Sequence, residues 1–539
     1  MARTRAWLLL LDRRAAWCAA GFVILATVRI GATYREFNHT IDEPAHIACG
    51  MEWLSKGSYK LEPQHPPLSR IFNAMGPYLA GSRSTGRDVI YKEGAAILTA
   101  AGDYQRRLTL ARIGTLPFFW LACAALYWLA LMEFGRAQAA AAAALFSLTP
   151  GVLGHAGLAT TDMALTGTFL LTAASFVWWS RGPDWKRGMA LGVSAGLLLA
   201  AKFSALFFLP LFLGVWLVMR RAAAKEWVNG RSTVSLGIAA LAGLLTVWSV
   251  YRFSFGPTPY GFPAPAPELL AGIEQARAHN AEGHASYLMG QRNKIGFLLF
   301  YPVAFGVKTP VPLLLLGLAG WWMIWKRRRE GAVAALAIAA AMLATGFLSN
   351  INIGTRHLLP LYGALAAGAA VAAVAGLERG GWGRRVVIGL LAWLVIGPLT
   401  DHPDNLAYFN FLAGSEPEKI LVDSDLDWGQ DMLRLSRRLK EVGAEYVVFN
   451  PFIVANWHRD FGFPPIAIGD PVSPMPGWNA VSLTVWKSGR MGLGDEHPEA
   501  QLWPDRFSPA ERVGRGVYLY YFDPKMFANP PQLERFPSP

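Results

Sequence analysis

Two adjacent carboxylates follow the first apolar segment of the chain. Asp42 and Glu43 stand directly before Pro44, and His46 comes three residues after Glu43. A carboxylate that is partly removed from water can take the proton of an attacking hydroxyl, and its charge can stabilise a cationic reacting centre. Asp42 ahead of Pro44 is equally typical of a helix start. The pair therefore predicts either a general base or a helix cap, and both interpretations are open at this point.

Two histidines share this polar stretch, His46 and His65, and the second is followed by two prolines. We expect them to position an acceptor or a loop. Together with Glu43 they could bind a divalent metal, but their spacing matches no established ligand motif, so a metal is an open alternative that the sequence does not indicate. The sequence has no Walker-type loop, no GxGxxG after a strand and no nucleophile elbow, so no cofactor is indicated.

Four more charged residues interrupt or border apolar segments. They are Asp162, Lys202, Lys308 and Arg356. Arginine can bind two phosphate oxygens at once and lysine supplies a point charge, while charges near bilayer depth are costly and are usually retained for function. Carboxylates and cations together predict a site for a phosphate-linked donor and a hydroxyl acceptor. The alternative is that each charge simply marks the end of an apolar segment.

The elements that would hold these residues are membrane helices. Hydrophobic residues make up 53% of the 539 residues and charged residues only 16%. Apolar runs of about 20 residues, long enough to cross a bilayer, recur up to residue 400, whereas 401–539 is mixed and polar. The sequence predicts a polytopic α-helical membrane protein with about eleven spans, at 15–33, 110–132, 137–156, 162–179, two within 188–219, 233–252, 309–325, 331–349, 357–376 and 386–400.

Basic residues alternate with these segments in a way that predicts their orientation. The net charge is +13, and Lys and Arg gather between apolar runs, at 13–14, 181–187, 220–225, 326–329 and 379–385. Cytoplasmic loops carry such an excess. We expect a cytoplasmic N-terminus, with outer loops at 34–108 and 253–308 and residues 401–539 on the outer side. The sequence has no basic stripe with interleaved aromatic residues, which argues against nucleic-acid binding.

Lys202 lies near the middle of the apolar stretch 188–219, and both flanks of this stretch are basic. Two cytoplasmic flanks require an even number of crossings between them. The stretch therefore predicts a hairpin of two short helices with Lys202 at the outer turn, where the ammonium group could meet a lipid headgroup. The alternative is a lysine that extends along a helix to reach water.

The polar remainder predicts a separate small domain. Residues 420–422 are expected to form a strand, 430–442 an amphipathic helix and 446–449 a second strand, which together would be a βαβ unit, with further strands at 480–486 and 517–521. We expect a transmembrane domain at 1–400 and an extracytoplasmic soluble domain of the α/β or α+β class at 401–539.

Taken in chain order, the motifs resemble those of the GT-C superfamily of membrane glycosyltransferases, which use polyprenyl- or dolichyl-phosphate sugars. This group includes the protein O-mannosyltransferases and the lipid A aminoarabinose transferase. The residues that carry the resemblance are Asp42-Glu43, His65 to Leu68, Thr160 to Asp162, Lys202, Lys308 to Pro310, Arg356 to Pro360 and Asp423 to Gln430.

The resemblance implies an inverting, mannosyltransferase-like enzyme of the EC 2.4 class with its site on the periplasmic or luminal side. Asp42 would be the base or would position the acceptor, with Glu43 beside it, and Asp162 would organise the site. The carrier's phosphate would be held by Lys202, Lys308 and Arg356. The implied partners are a polyprenyl-phosphate sugar, a hydroxyl acceptor on protein, lipid or glycan, and membrane lipids, and the implied location is a bacterial inner membrane.

A transporter and a membrane-anchored interaction protein are the alternatives to this interpretation. A transporter should carry charged residues along a path through mid-membrane and often has inverted repeats. An interaction protein with a membrane anchor would not need acids and cations beside five different helices. We expect Asp42, Asp162, Lys202 and Arg356 to converge in one cavity if the chain is a transferase, and to scatter around the rim if it is not.

Overall fold

The apolar segments form helices, because a helix satisfies every backbone hydrogen bond within its own segment inside lipid. The structure is a computed structural model that describes residues 14–100, 102–220, 230–328, 332–489, 491 and 502–527. Three of the basic clusters used to orient the chain lie partly outside the described residues, at 13, 221–225 and 329.

The helices of the described residues are numbered in chain order. They are α1 (Ala15–Thr33), α2 (Asp42–Lys56), α3 (Pro67–Leu79), α4 (Ile90–Thr99), α5 (Tyr104–Ile113), α6 (Leu116–Phe134), α7 (Arg136–Ser147), α8 (Pro150–Ala156), α9 (Asp162–Ser180), α10 (Trp185–Ala201), α11 (Ala205–Met219), α12 (Gly230–Val250), α13 (Pro267–Glu282), α14 (Phe300–Lys308), α15 (Val311–Lys326), α16 (Ala334–Leu348), α17 (Pro360–Arg379), α18 (Gly381–Thr400), α19 (Met432–Glu441) and α20 (Leu483–Lys487).

Each predicted span contains a helix, and the chain is an integral membrane protein. In the described residues five helices are long and apolar enough to cross a membrane: α1, the continuous stretch Tyr104–Phe134, α9, α12 and α17. Two bent pairs would raise the number to seven, α7 with α8 at 64° and α14 with α15 at 118°. Helices α11 and α16 are apolar but shorter. The polytopic architecture is thus confirmed, whereas the number of eleven crossings stays a prediction.

Helices α10 and α12 pack unusually closely, which fixes the position of Lys202 at the end of α10. Gly188, Gly192 and Gly196 recur every fourth residue and face α12. A Cβ atom at Gly192 would lie only 2.1 Å from the carbonyl oxygen of Ala239. Small residues at this spacing let two membrane helices approach until their backbones touch.

The stretch 188–219 forms the predicted hairpin. Helix α10 ends at Ala201, Lys202 has an extended backbone with φ −162°, and α11 begins at Ala205. The two arms pack on different partners, α10 on α9 and α12, and α11 mainly on α16. The arms therefore diverge, and the space between them becomes important below.

Short helices cover the region between α1 and α6. Helix α3 lies within the outer loop expected at 34–108, and its exposed face carries Phe72, Met75 and Leu79 at helical spacing. Helix α2 packs on α3 and α4 and begins at Asp42. This packing places the Asp42-Glu43 pair at the first turn of a buried helix, so helix start and site are not exclusive alternatives.

Residues beyond 401 include a five-stranded mixed sheet. The strands of the chain are β1 (Phe255–Pro257), β2 (Pro263–Pro265), β3 (Ser286–Leu288), β4 (Gln291–Asn293), β5 (Val447–Phe449), β6 (Ile466–Ala467), β7 (Gly477–Ser482), β8 (Glu511–Val513) and β9 (Val517–Phe522). The sheet has the order β6-β5-β7-β9-β8, with β5 parallel to β6 and β7, and β9 antiparallel to β7 and β8. Short hairpins β1-β2 and β3-β4 lie in the loop 253–308.

Two predicted strands of this region are wrong in detail. Residues 420–422 form no strand, because Leu421 packs in the core of the membrane helices and the carbonyl of Ile420 accepts a hydrogen bond from Met289. The expected βαβ unit therefore does not form from them. The strand expected at 480–486 ends at Ser482, whose side chain caps helix α20. A small mixed α/β arrangement is nevertheless present, as the fold class predicted.

Candidate active site

Four charged side chains from four separate segments meet beside the hairpin turn. Arg356 Nη1 donates a hydrogen bond to Asp42 Oδ2 at 3.0 Å and lies 3.7 Å from Asp162 Oδ2. The other oxygen of Asp162 lies 2.6 Å from Lys202 Nζ. The four side chains therefore converge, and in the order Asp42, Arg356, Asp162, Lys202 they form a continuous line of alternating charge.

Asp162 organises the centre of this line. It is the first residue of α9, and its side chain is fully buried. Oδ1 binds Lys202, while Oδ2 accepts no hydrogen bond from any described residue. A buried carboxylate is retained only beside compensating positive charge, and here Lys202 and Arg356 supply it together. Asp162 thus holds the two cations close to each other.

Asp42 is the member of the pair that reaches open space. Its side chain is 25% exposed, and its hydrogen bond within the described part of the chain comes from Arg356. The backbone N–H of the preceding residue, Ile41, donates to the carbonyl of Trp428 at 3.1 Å. The start of helix α2 is therefore fixed in place while the carboxylate at its first position is left able to accept a proton.

Arg356 is held by residues far along the chain. Its guanidinium carbon lies 4.2 Å from the centroid of the Trp428 ring, a cation–π arrangement. The neighbouring Thr355 donates through its backbone N–H and its hydroxyl to the buried carboxylate of Asp425, the hydroxyl at 2.7 Å. Asp425 and Trp428 belong to the segment Asp423 to Asp431, so residues beyond 401 help to build the site.

That segment also binds the sheet. Asp427 accepts hydrogen bonds from Ser482 and from the backbone N–H of Thr484, and Asp431 accepts from the backbone N–H groups of Arg515 and Gly516. Burial raises the pKa of both aspartates to about 6. The segment connects the sheet directly to the residues around Arg356.

A second buried network borders the line of charges. Arg70 donates to the Glu62 carboxylate, to Tyr59 Oη at 2.9 Å and to His46 Nδ1 at 3.1 Å. Burial opposes ionisation of Glu62, but the positive charge of Arg70 outweighs it and lowers the Glu62 pKa to about 2. Burial and the same charge lower the pKa of His46 well below its ordinary value, so its ring is neutral.

The rings of His46 and His65 are adjacent, with centroids 5.4 Å apart. Both lie within range of the charge of Lys202, and His46 also of Asp162. The structure therefore brings the two predicted histidines together and within range of charges of the same line. His357, beside Arg356, lies within range of the same charges and was not singled out from the sequence.

Glu43 does not join the line of charges. Arg112 donates to both of its oxygens, at 2.8 and 2.9 Å, and the backbone N–H groups of Thr40 and Ala159 donate to it as well. The side chain is fully buried. Burial opposes ionisation, but Arg112 outweighs it and lowers the Glu43 pKa. This geometry gives Glu43 no free oxygen for the catalytic work that was expected of it beside Asp42.

Lys308 also lies apart from the line of charges. Its ammonium group donates to the carbonyl of Leu406 at 2.7 Å and to the carbonyl of Asp425, and it lies 4.3 Å from the centroid of the Phe409 ring. These contacts tie the end of α14 to the segment that carries Trp428. The geometry supports a positioning role more directly than the phosphate contact expected from the sequence.

The described residues contain no group of three or more His, Cys, Asp or Glu side chains arranged to hold a metal ion. Glu43 lies in its ion pair with Arg112, and His46 Nδ1 accepts from Arg70. The set of Glu43, His46 and His65 that left a metal open in the sequence is therefore not assembled.

An apolar groove of about 610 Å³ is lined by residues that precede and follow Lys202 in the chain. It lies between the diverging arms α10 and α11 and helix α12, and its wall includes Leu198, Leu199 and Ala205, which flank Lys202 along the chain. Pro265, Ala266 and Leu269 complete one edge of its wall.

Residues that sequence reasoning missed bind partners that are not their immediate neighbours in the chain. The Trp428 ring contacts Arg356, Arg70 donates to His46, and Arg112 pairs with Glu43. The segment Asp423 to Gln430 was recognised as a motif, but nothing in the local sequence indicates that the indole ring of Trp428 lies over Arg356. Arg70 had a signal of its own, since it is a charge within an otherwise apolar stretch.

Comparisons with known proteins support the fold. No protein-family model and no curated protein sequence matches the chain. The crystal structure of apo ArnT from Cupriavidus metallidurans matches with a TM-score of 0.50 and 14% identity, covering 94% of this chain and 98% of that one. The Archaeoglobus fulgidus oligosaccharyltransferase tethered with an acceptor peptide matches with a TM-score of 0.50 and 12% identity, covering 91% and 74%. The chain therefore shares the fold of ArnT and of this oligosaccharyltransferase, which is the fold that the resemblance predicted.

Proposed function

We propose that this protein is an inverting glycosyltransferase that moves a sugar from a polyprenyl-phosphate carrier to a hydroxyl acceptor. The observation that carries the proposal is the convergence of Asp42, Arg356, Asp162 and Lys202 next to a long apolar groove. A base, two phosphate-binding cations and a lipid-sized groove are the parts that such a reaction requires.

The donor lies with its prenyl chain in the groove and its phosphate on Lys202 and Arg356. Arginine contributes two parallel donors and lysine a mobile ammonium group, both suited to phosphate oxygens. Asp162 holds the two cations in place before the donor arrives. Lys308 acts from a distance, because its contacts with the Asp425 and Leu406 carbonyls support the segment that holds Arg356.

The transfer is a single displacement at the anomeric carbon. The acceptor oxygen forms the new bond to C1 as the bond from C1 to the phosphate oxygen breaks, and the electron pair leaves with polyprenyl phosphate. Asp42 takes the acceptor's proton, which its exposed oxygen permits. Negative charge grows on the leaving phosphate, so the preorganised cations stabilise the transition state more than the ground state. A single displacement inverts the configuration at C1.

The structural relatives fit this proposal. ArnT has also been solved bound to undecaprenyl phosphate, and the archaeal oligosaccharyltransferase has been solved with an acceptor peptide. Charged residues gather at helix ends on one side rather than along a path through mid-membrane, so no observation on the described residues favours the transporter. The site lies on the outer face in this proposal, since the ends of α1, α10 and α12 and the starts of α9 and α17 would share that side.

Release of polyprenyl phosphate tests the reaction class. Full-length protein in lipid vesicles is supplied with a panel of polyprenyl-phosphate sugars, including mannose and aminoarabinose, and a mixture of protein, lipid and glycan acceptors. We expect turnover with one donor, lost in Asp42→Asn. Asp103→Asn is the matched control, because Asp103 is exposed and 3.6 Å from Arg106 in the same loop. Near-normal turnover in Asp42→Asn would refute the assignment of the base.

A further inference from the structure

His46 presents a hydrogen-bond donor whose orientation is set by a buried arginine. Arg70 Nε donates to His46 Nδ1 at 3.1 Å, which makes Nδ1 an acceptor and leaves the proton of the neutral ring on Nε2. Arg70 cannot rotate away, because its other nitrogens donate to Tyr59, to the Glu62 carbonyl and to the Glu62 carboxylate. The tautomer of His46 is therefore fixed by its surroundings.

The Nε2 atom of His46 has no hydrogen-bond partner among the described residues, although the residue is only 4% exposed. The Nε2 atom nevertheless retains some accessible surface, so it is not sealed among packed side chains. The ring lies within electrostatic range of Lys202 and Asp162, and it packs edge-on against the ring of His65 with 5.4 Å between the centroids. A donor that keeps accessible surface and has no partner among the described residues is available to donate to a ligand oxygen.

We infer that His46 contacts the substrate, donating its Nε2–H to an oxygen of the sugar-phosphate part of the donor. This inference rests on the proposed function and adds a recognition residue to it. The Glu62, Arg70 and Tyr59 network serves to hold His46 in this one hydrogen-bonding state. The oxygen belongs either to the phosphate or to a hydroxyl of the sugar, and both accept the same bond.

Two isosteric substitutions separate a substrate contact from a structural one. The side-chain amide nitrogen of His46→Gln reaches the place of Nε2, so it keeps the donor and loses the Arg70 contact. The side-chain oxygen of His46→Asn lies near the place of Nδ1, so it keeps the Arg70 contact and loses the donor. His46→Ala removes both. His39→Gln is the control, because His39 is equally buried but its Nε2 is enclosed.

The experiment measures binding to the full-length protein in nanodiscs, with undecaprenyl phosphate alone and with the undecaprenyl-phosphate sugar that turns over. We expect His46→Gln to stay within about threefold of wild type, and His46→Asn and His46→Ala to bind about ten- to a hundredfold more weakly. Weaker binding of both probes identifies a phosphate oxygen, and weaker binding of the sugar-linked probe alone identifies a sugar hydroxyl.

Near-wild-type binding by His46→Asn together with failure of His46→Gln would show that the ring serves only as a partner of Arg70, and would overturn the inference. Equal binding by all three variants would do the same while leaving the proposed function intact. A wild-type protein that binds neither probe would instead refute the proposed function, and this inference with it.

Discussion

The Glu43–Arg112 ion pair leads to a prediction that distinguishes the structural role of Glu43 from the catalytic role proposed for Asp42. Both side chains are buried, and Arg112 contacts Glu43 through two nitrogens at 2.8 and 2.9 Å. In Glu43→Gln the neutral amide leaves the guanidinium charge uncompensated. Removing one member of a buried pair costs about 3–5 kcal/mol. In this variant Arg112 still donates to the carbonyls of Phe37 and Asn38. We therefore expect the free energy of unfolding to fall by an amount at the lower end of this range, about 3 kcal/mol.

The free energy of unfolding is followed by intrinsic tryptophan fluorescence of the purified protein in detergent. Glu36→Gln is the matched control, because Glu36 pairs with Arg437 at 3.0 Å on the surface and such pairs contribute about 0–1 kcal/mol. We expect Glu43→Gln to be destabilised while the folded fraction keeps most of its turnover, and Asp42→Asn to show the opposite. Unchanged stability with abolished turnover in Glu43→Gln would refute the structural role given to Glu43.

Three further results are expected. Trp428→Leu removes the ring beneath Arg356 and should lower kcat/KM about tenfold, whereas Trp428→Phe should retain most of it, measured by donor turnover. Ala240→Trp places a bulky ring in the apolar groove and should raise KM for long-chain carriers more than for short-chain carriers in the same assay. Asp427 and Asp431 have a pKa of about 6 in the folded protein against 3.8 ordinarily, so each binds its proton more tightly when the protein is folded. The free energy of unfolding should therefore fall as pH rises from about 4 to 6, by about 3 kcal/mol for each group. An unfolding midpoint that rises over this range would contradict the burial argument.

The membrane architecture could be predicted from the sequence because it depends on local properties. An apolar run of sufficient length is a helix wherever it lies in lipid, and basic flanks fix its direction. The hairpin at 188–219 illustrates this: two basic flanks and one central lysine were enough to predict two helices with Lys202 between them, and the structure has that break. Helix ends were less accurate, since the span expected at 110–132 lies within a longer continuous stretch, Tyr104–Phe134, that is made of α5 and α6.

The roles of individual charges were harder to predict because they depend on remote partners. Asp42 and Glu43 are adjacent and chemically alike, yet Arg112, 69 residues away, takes up one of them and leaves the other exposed. Lys308 has the position of a phosphate ligand at a helix end, but its ammonium group is bound by carbonyls about a hundred residues further on. Neither contact can be predicted from the local sequence.

The strand expected at 420–422 failed for a related reason. A short β-branched and leucine-rich run is typical of a buried strand, and Leu421 is indeed buried, but among the membrane helices rather than in the sheet. Sequence periodicity predicts that a residue is buried but does not predict which part of the protein it packs against.

The position of a bound carrier tests the central claim most directly. A structure of the full-length protein with undecaprenyl phosphate should place the phosphate oxygens about 2.7–2.9 Å from nitrogens of Lys202 and Arg356, with the prenyl chain between α10, α11 and α12. A second apolar groove of about 610 Å³ runs along α1, α6 and α7. A carrier bound there, with its phosphate away from Lys202 and Arg356, would contradict the account.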